Sequence, residues 1–203
     1  MSRVAAVILA GGRGERLGGI IKANLTVGGT RLLERVSAVL GGAESILVSS
    51  GSFEPASLDL LPGQIAIADL ASDYAGPLAG LAAAADWATG QPQPPEILLL
   101  AAVDTPFLPP DYLPRLAEAA HPAAAIASFA GQPYPTSSAW RLAAIADLPA
   151  HVRAGTAPRS LKRLAQALGA ADVEFPAHAG GDPFANLNTP EDKRALERRA
   201  SLA

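Results

Sequence analysis

Residues 8–19 read ILAGGRGERLGG, directly after an apolar run, and the chemistry such a loop serves is the holding of an anion. Gly11, Gly12, Gly14, Gly18 and Gly19 carry no side chains, so backbone N–H groups can approach a ligand closely. Arg13 and Arg16 lie within the loop and Lys22 follows in IIKAN, which makes phosphate the expected anion. No Gly-Lys-Ser/Thr closes the loop, so it is not a Walker loop. Gly12-Arg13-Gly14 is followed by Glu15, Arg16 and Leu17, without the third glycine of the dinucleotide fingerprint.

Two acids stand where they could serve such an anion. Asp104 ends EILLLAAVD, the most apolar run of the chain, and a carboxylate there is costly to bury unpaired. The following TPFLPP is an extended proline turn that presents it to a crevice. Mg²⁺ is commonly held by one or two carboxylates together with substrate phosphates, which suits Asp104. Asp69, after QIAIA, is the second acid. His121, His151 and His178 have neither metal-ligand spacing nor a nucleophile partner, and are read as solvated or structural.

These residues need strands that end at one edge. AAVILA (5–10), SILVSS (45–50), QIAIAD (64–69), EILLLAAVD (96–104), AAAIASFA (123–130), PTSSAW (135–140) and DVEFP (172–176) read as strands. Helical patterns alternate with them: RLLERVSAVL (31–40), PLAGLAAAADWA (77–88), PDYLPRLAEAA (110–120), RLAAIADLPAHV (141–152), APRSLKRLAQALG (157–169) and TPEDKRALERRA (189–200). Thr189 reads as the cap of the closing helix and Pro190 as its first residue, with acids at its start and arginines at its end. The alternation predicts an open, mostly parallel sheet with helices on both faces. Ligands then bind outside the carboxyl ends of the strands, at the loop after Ala10, at Asp69 and at Asp104.

Composition narrows the class further. With 203 residues, 49% hydrophobic and 17% charged, one globular domain spanning 1–203 is expected. The net charge of −3 gives no general attraction for nucleic acid or an anionic membrane, so phosphate binding must be local. The chain has no cysteine, which excludes disulfides and thiolate chemistry. The apolar runs are too short to span a bilayer, and MSRVAAVILAGG lacks the longer run of a signal peptide; a cytoplasmic protein is expected.

The segments LAGGRGERLGGIIK (9–22), DYAGPLAGL (73–81), DTPFLPP (104–110), AGTAPRSL (154–161) and NLNTPED (186–192) together resemble the molybdenum cofactor guanylyltransferases, the MobA type of nucleotidyltransferase. The resemblance implies a Rossmann-like, doubly wound, mostly parallel sheet of the nucleotide-diphospho-sugar transferase type. The implied reaction is transfer of GMP from GTP to the terminal phosphate of molybdenum-bearing molybdopterin, with release of pyrophosphate. Carried onto this chain, Leu9, Ala10 and Gly11 contact the guanine nucleotide and Lys22 binds its phosphates, with Gly12 and Gly14 in the same cradle. Ser49 and Asp69 stand at nucleotide-binding positions, and Asp104 at one that binds both nucleotide and Mg²⁺. Arg16, Gly76, Gly80, Arg159, Asn186 and Asn188 fall at positions tied to catalysis or to the pterin substrate. We assign Gly76 and Gly80 to the GTP side, and Arg159, Asn186 and Asn188 to the molybdopterin side. Arg16, Lys22 and Asp104 are the expected catalytic group.

The chain departs from the family pattern twice: Ile21 precedes Lys22 where Asp is frequent, and Ser49 stands where Asn is frequent. A cytidylyl- or sugar-phosphate nucleotidyltransferase of the same fold is the nearest alternative. A non-catalytic GTP-binding module would keep the glycine loop without needing Asp104, Arg159 and the paired asparagines. Transient contacts with cofactor-delivery or acceptor enzymes are also expected.

Overall fold

Val4–Leu9 (β1) is VAAVIL, buried along nearly its whole length, as a strand packed on both faces must be. Its alternate residues divide between two cores: Val4, Ala6 and Ile8 face one, Ala5 and Val7 the other. This computed structural model describes residues 2–14, 20–51, 53–70 and 76–202. After β1 come the short strands Arg13–Gly14 (β2), Ile20–Ile21 (β3), Thr26–Val27 (β4) and Thr30–Arg31 (β5), then helix Leu32–Val39 (α1) and strand Ser45–Ser49 (β6). Ile65–Ile67 (β7), helix Pro77–Thr89 (α2) and Ile97–Ala102 (β8) follow, then helix Tyr112–Ala119 (α3). Ala124–Phe129 (β9) and Gln132–Arg141 (β10) form a hairpin; helices Leu148–Arg153 (α4) and Leu161–Ala167 (α5), strand Ala171–Glu174 (β11) and helix Pro190–Ala200 (α6) complete the chain.

Seven strands form one sheet in the order β11-β9-β10-β8-β1-β6-β7. β10 runs antiparallel to both its neighbours, and the other four pairings are parallel. The expected mostly parallel, doubly wound sheet is therefore present. Leu32, Leu33 and Val36 of α1, Tyr112 and Leu116 of α3 and Leu196 of α6 fill one core. Leu78 and Leu81 of α2, Leu148 and Val152 of α4 and Leu161 and Leu164 of α5 fill the other. From β1 the order passes outward through β6 and β7, then returns to β8 on the opposite side of β1. The switch point lies between β1 and β8, so a ligand crevice belongs at their carboxyl ends.

Residues 141–152 depart from the sequence expectation of a helix. They form a single 3-10 turn at Leu142–Ala144 and then the short α4, with Asp147 at its N-cap and Pro149 in its first turn. Proline suits the first turn of a helix but not its interior, so the apolar periodicity across it belonged to two elements. PTSSAW is likewise only part of a ten-residue strand, joined to β9 through Ala130 and Gly131, both at positive φ (51° and 73°). Glu174 of β11 holds that turn, accepting from the Ala130 amide at 2.6 Å and the Ser128 hydroxyl at 2.8 Å.

The closing helix begins as expected. Thr189 Oγ1 accepts from the Asp192 amide at 3.1 Å, and the Asp192 carboxylate accepts from the Thr189 amide at 2.8 Å. Thr189→Ala should cost about 1 kcal/mol of stability without altering GTP affinity. Thermal melts and nucleotide titration check both parts, and an unchanged melting temperature would contradict the capping role.

Candidate active site

Glycines follow the ends of β1 and β6, at Gly11 and Gly51. Ala10 is fully buried and its amide donates to Ser49 O at 2.9 Å, tying the end of β1 to the end of β6. Beyond that tie Gly11 crosses Gly51: a Cβ built on Gly11 would lie 2.5 Å from the Gly51 Cα, and one on Gly51 2.6 Å from the Gly11 Cα. Neither residue admits a side chain without moving the other. Gly12 lies over Lys22, with its Cβ position 3.7 Å from Lys22 Cδ. Arg13–Gly14 pairs antiparallel with Ile20–Ile21, so the loop doubles back and delivers Lys22 beneath its own entry. Arg16, Gly18 and Gly19 lie outside the described residues, as do Asp73, Tyr74 and Ala75.

Lys22 opens a 3-10 turn and is only 7% exposed. Its Nζ donates to Asp104 Oδ2 at 2.6 Å and to Asn188 Oδ1 at 2.5 Å. Residues assigned on sequence grounds to phosphate, metal and pterin thus meet in one hydrogen-bonded cluster. The ion pair is mostly withdrawn from water (side chains 9% and 16% exposed), so it is much less weakened by salt than a surface pair. Asp104 stands just past β8, and its carbonyl accepts from the Leu187 amide at 2.9 Å, which straps the 186–188 segment across the strand end. Leu187 is buried while Asn186 and Asn188 are exposed, the alternation of an extended segment. The backbone of Asn188 joins the helix cap, its amide donating to Asp192 at 3.0 Å, and its side chain serves Lys22 instead. Burial pushes the Asp192 carboxyl up, but hydrogen bonds from Asn188 and Thr189 and the Lys22 charge outweigh it and leave it below its ordinary range.

A second cluster lies at the ends of β6 and β7. Ser49 Oγ donates to Asp69 Oδ1 at 2.8 Å. A Cβ on Gly80 would come within 2.8 Å of Ser49 Oγ and 2.9 Å of Leu9 Cδ2, so α2 lies close against both strand ends only because residue 80 is glycine. Gly76, at φ 82° and ψ −156°, takes a conformation essentially reserved for glycine and turns the chain into Pro77. Gly76 and Gly80 therefore have backbone reasons for their positions. Arg159 is exposed, just ahead of Ser160, the N-cap of α5.

Desolvation raises the Asp69 pKa, opposed in part by the Ser49 hydroxyl. The folded state therefore holds this proton more tightly than the unfolded state does. As pH rises above the unfolded value, the unfolded chain ionises first and stability falls until the folded carboxyl has also ionised. At neutral pH the folded protein bears the whole cost. Asp69→Asn should accordingly raise the melting temperature at pH 7 while weakening GTP binding. A lowered melting temperature would show that the carboxylate is a net stabiliser.

Two parts of the arrangement escaped the sequence reading. Arg199 of α6 carries no motif that marks it, and Phe107, against which it lies, falls inside the DTPFLPP segment without having been given a role. Among the described residues no group of three or more His, Cys, Asp or Glu is placed to hold a metal.

Residues 6–181 match the MobA-like NTP transferase domain. The chain is 39% identical over 201 residues to the molybdenum cofactor guanylyltransferase of Rhodobacter capsulatus, covering 97% of this chain and 96% of that one. The chain belongs to the molybdenum cofactor guanylyltransferase family. It is 36% identical to the family member of Mesorhizobium japonicum, over 93% of this chain and 92% of that one. It is a nucleotidyltransferase, and its fold is the one this family shares with other nucleotide transferases. The molybdopterin-guanine dinucleotide biosynthesis protein A of Archaeoglobus fulgidus superposes with a TM-score of 0.71 at 22% identity, covering 98% of this chain and 100% of that one. The 2-C-methyl-D-erythritol 4-phosphate cytidylyltransferase of Thermus thermophilus superposes at 0.67 with 24% identity, covering 98% and 99%. At those identities the two structures speak for the fold alone.

Proposed function

We propose that this chain transfers GMP from GTP to the terminal phosphate of molybdenum-bearing molybdopterin, forming the guanine dinucleotide cofactor and releasing pyrophosphate. The observation that carries the reading is the meeting of Lys22, Asp104 and Asn188 at the switch-point crevice, in a chain that belongs to the guanylyltransferase family. An oxygen of the acceptor phosphate attacks the α-phosphorus; that P–O bond forms as the bond to pyrophosphate breaks. No enzyme nucleophile is needed, in keeping with a chain that has no cysteine.

The backbone of Leu9, Ala10, Gly11, Gly12 and Gly14 cradles the nucleotide, and Ser49, Asp69, Gly76 and Gly80 shape its far side. Lys22 places positive charge on the phosphates, joined by Arg16 from the loop. Two anions must be brought together, so the catalytic task is positioning and neutralisation. Asp104 fits Mg²⁺, which accepts a single carboxylate when substrate phosphates and water complete its shell. When bound, Mg²⁺ would neutralise charge developing on the leaving pyrophosphate. Asn186, Asn188 and Arg159 meet the acceptor, two of them with neutral amides suited to pterin heteroatoms.

We propose also that residues 1–203 form one nucleotidyltransferase domain that acts in the cytoplasm. The continuous sheet, with α6 packed back on it, supports the first part. Contacts with cofactor-delivery or acceptor enzymes are transient in this reading, and neither nucleic acid nor membrane is a partner. The net charge of −3 supports the last point, and no helix among the described residues is long and apolar enough to cross a membrane. Calorimetric titration with GTP, CTP and ATP, with and without Mg²⁺, tests the nucleotide side. GTP should bind most tightly and the metal should strengthen it; equal or tighter CTP binding would overturn the guanylyl reading.

A further inference from the structure

Arg199, on the last turn of α6, lies beyond the residues matched by the family domain, yet its guanidinium is committed entirely to the approach to the site. Nε donates to Ala179 O at 2.8 Å and Nη1 to Asp182 O at 2.6 Å, while Nη2 donates to His178 O and, at 3.4 Å, to Gly181 O. One planar group thus gathers four carbonyls of a tight turn. The turn needs such a hold, since Ala179 sits at φ 45° beside Gly180 at 78°, and a non-glycine residue in that region is strained. The other face of Arg199 stacks 4.2 Å from the ring centroid of Phe107, which is buried three residues after Asp104 in DTPF.

From the gathered turn the chain runs to the site through fixed points. Asp182 accepts from Tyr134 Oη at 2.7 Å and from the Phe184 amide at 2.8 Å. Phe184 is fully buried against Tyr112, Tyr134 and Phe175. Leu187 then bonds to the Asp104 carbonyl and Asn188 to Lys22. Arg199 touches both arms of this arrangement: the strap of 182–188 through its turn, and the Asp104 loop through Phe107.

We propose that Arg199 is a positioning residue that holds the 182–188 strap in register with Asp104, and so sets the placement of Asn186 and Asn188 toward the acceptor substrate. The proposal rests on the reading of those asparagines given above. A lysine cannot replace it, because an ammonium has three donors and no planar fork to span four carbonyls.

The test compares Arg199→Met and Arg199→Lys with Glu197→Ala in the full chain. Glu197 is a neighbour on the same helix that accepts from the Gly28 amide at 2.8 Å, away from the strap. Both Arg199 variants should raise the molybdopterin KM about tenfold or more, with GTP affinity within about twofold of the parent. Hydrogen exchange at the Leu187 amide should speed up at least about fivefold in both. Glu197→Ala should lower the melting temperature and move neither quantity. If Arg199→Lys keeps the parent KM and the parent Leu187 exchange, or if Glu197→Ala shifts both as strongly, Arg199 only stabilises the helix and the proposal fails. Asn188→Ala with an unchanged molybdopterin KM would instead overturn the acceptor-site reading, and Leu187 exchange would then decide the role of Arg199 alone.

Discussion

Asp104→Asn is expected to lower turnover about a thousandfold or more while the chain still folds. The amide is nearly isosteric with the carboxylate but brings no charge to a cation on the phosphates. In the free protein Asp104 is also the counter-ion of Lys22, at 2.6 Å and largely out of water. Removing it leaves a buried ammonium hydrogen-bonded to amide oxygens, with Asp192 as a carboxylate within electrostatic reach, so a stability loss of about 1–3 kcal/mol should accompany the loss of rate. Circular dichroism, a thermal melt and Mn²⁺ affinity in the presence of GTP separate the two effects. Near-normal turnover with a lowered melting temperature would make Asp104 a structural counter-ion and nothing more.

Lys22→Met is expected to weaken GTP binding about a hundredfold, the scale of truncating one partner in a buried, hydrogen-bonded charge contact. Methionine fills much the same space beneath Gly12, so the loop itself should survive. Arginine should not rescue binding, because Lys22 is 7% exposed and its Nζ already lies between Asp104 and Asn188 at hydrogen-bond distance. The measurement is the GTP dissociation constant of the parent and both variants at one fixed salt concentration. An unaltered constant in Lys22→Met would confine Lys22 to holding Asp104 and Asn188 together.

The sheet was legible because its central strands are buried on both faces and read as unbroken apolar runs, as VAAVIL and ILLLAA do. The carboxyl-edge rule then singles out Ala10, Asp69 and Asp104 from the sequence alone. What remained hidden is what periodicity cannot carry. The helical pattern of residues 141–152 ran across a proline-started break and merged two elements. Lys22 lies 82 residues from Asp104 and 166 from Asn188, so their common cluster is a product of topology and not of spacing. The crossing of Gly11 and Gly51 is likewise a contact between loops of different strands, and each glycine alone reads only as a turn. Arg199 resembled any basic residue at a helix end, where a solvated charge complements the macrodipole. Only the carbonyls of 178–182 folded around it show otherwise.

The central claim is that the Lys22–Asp104–Asn188 cluster is where GTP is consumed to guanylylate molybdopterin. The most direct test is pyrophosphate release on mixing the protein with Mg²⁺ and molybdenum-bearing molybdopterin, with GTP or CTP supplied separately. The account predicts release that requires both GTP and molybdopterin, is much slower with CTP, and is lost in Asp104→Asn. Release at an equal or greater rate with CTP, or none with GTP from the folded protein, would contradict it.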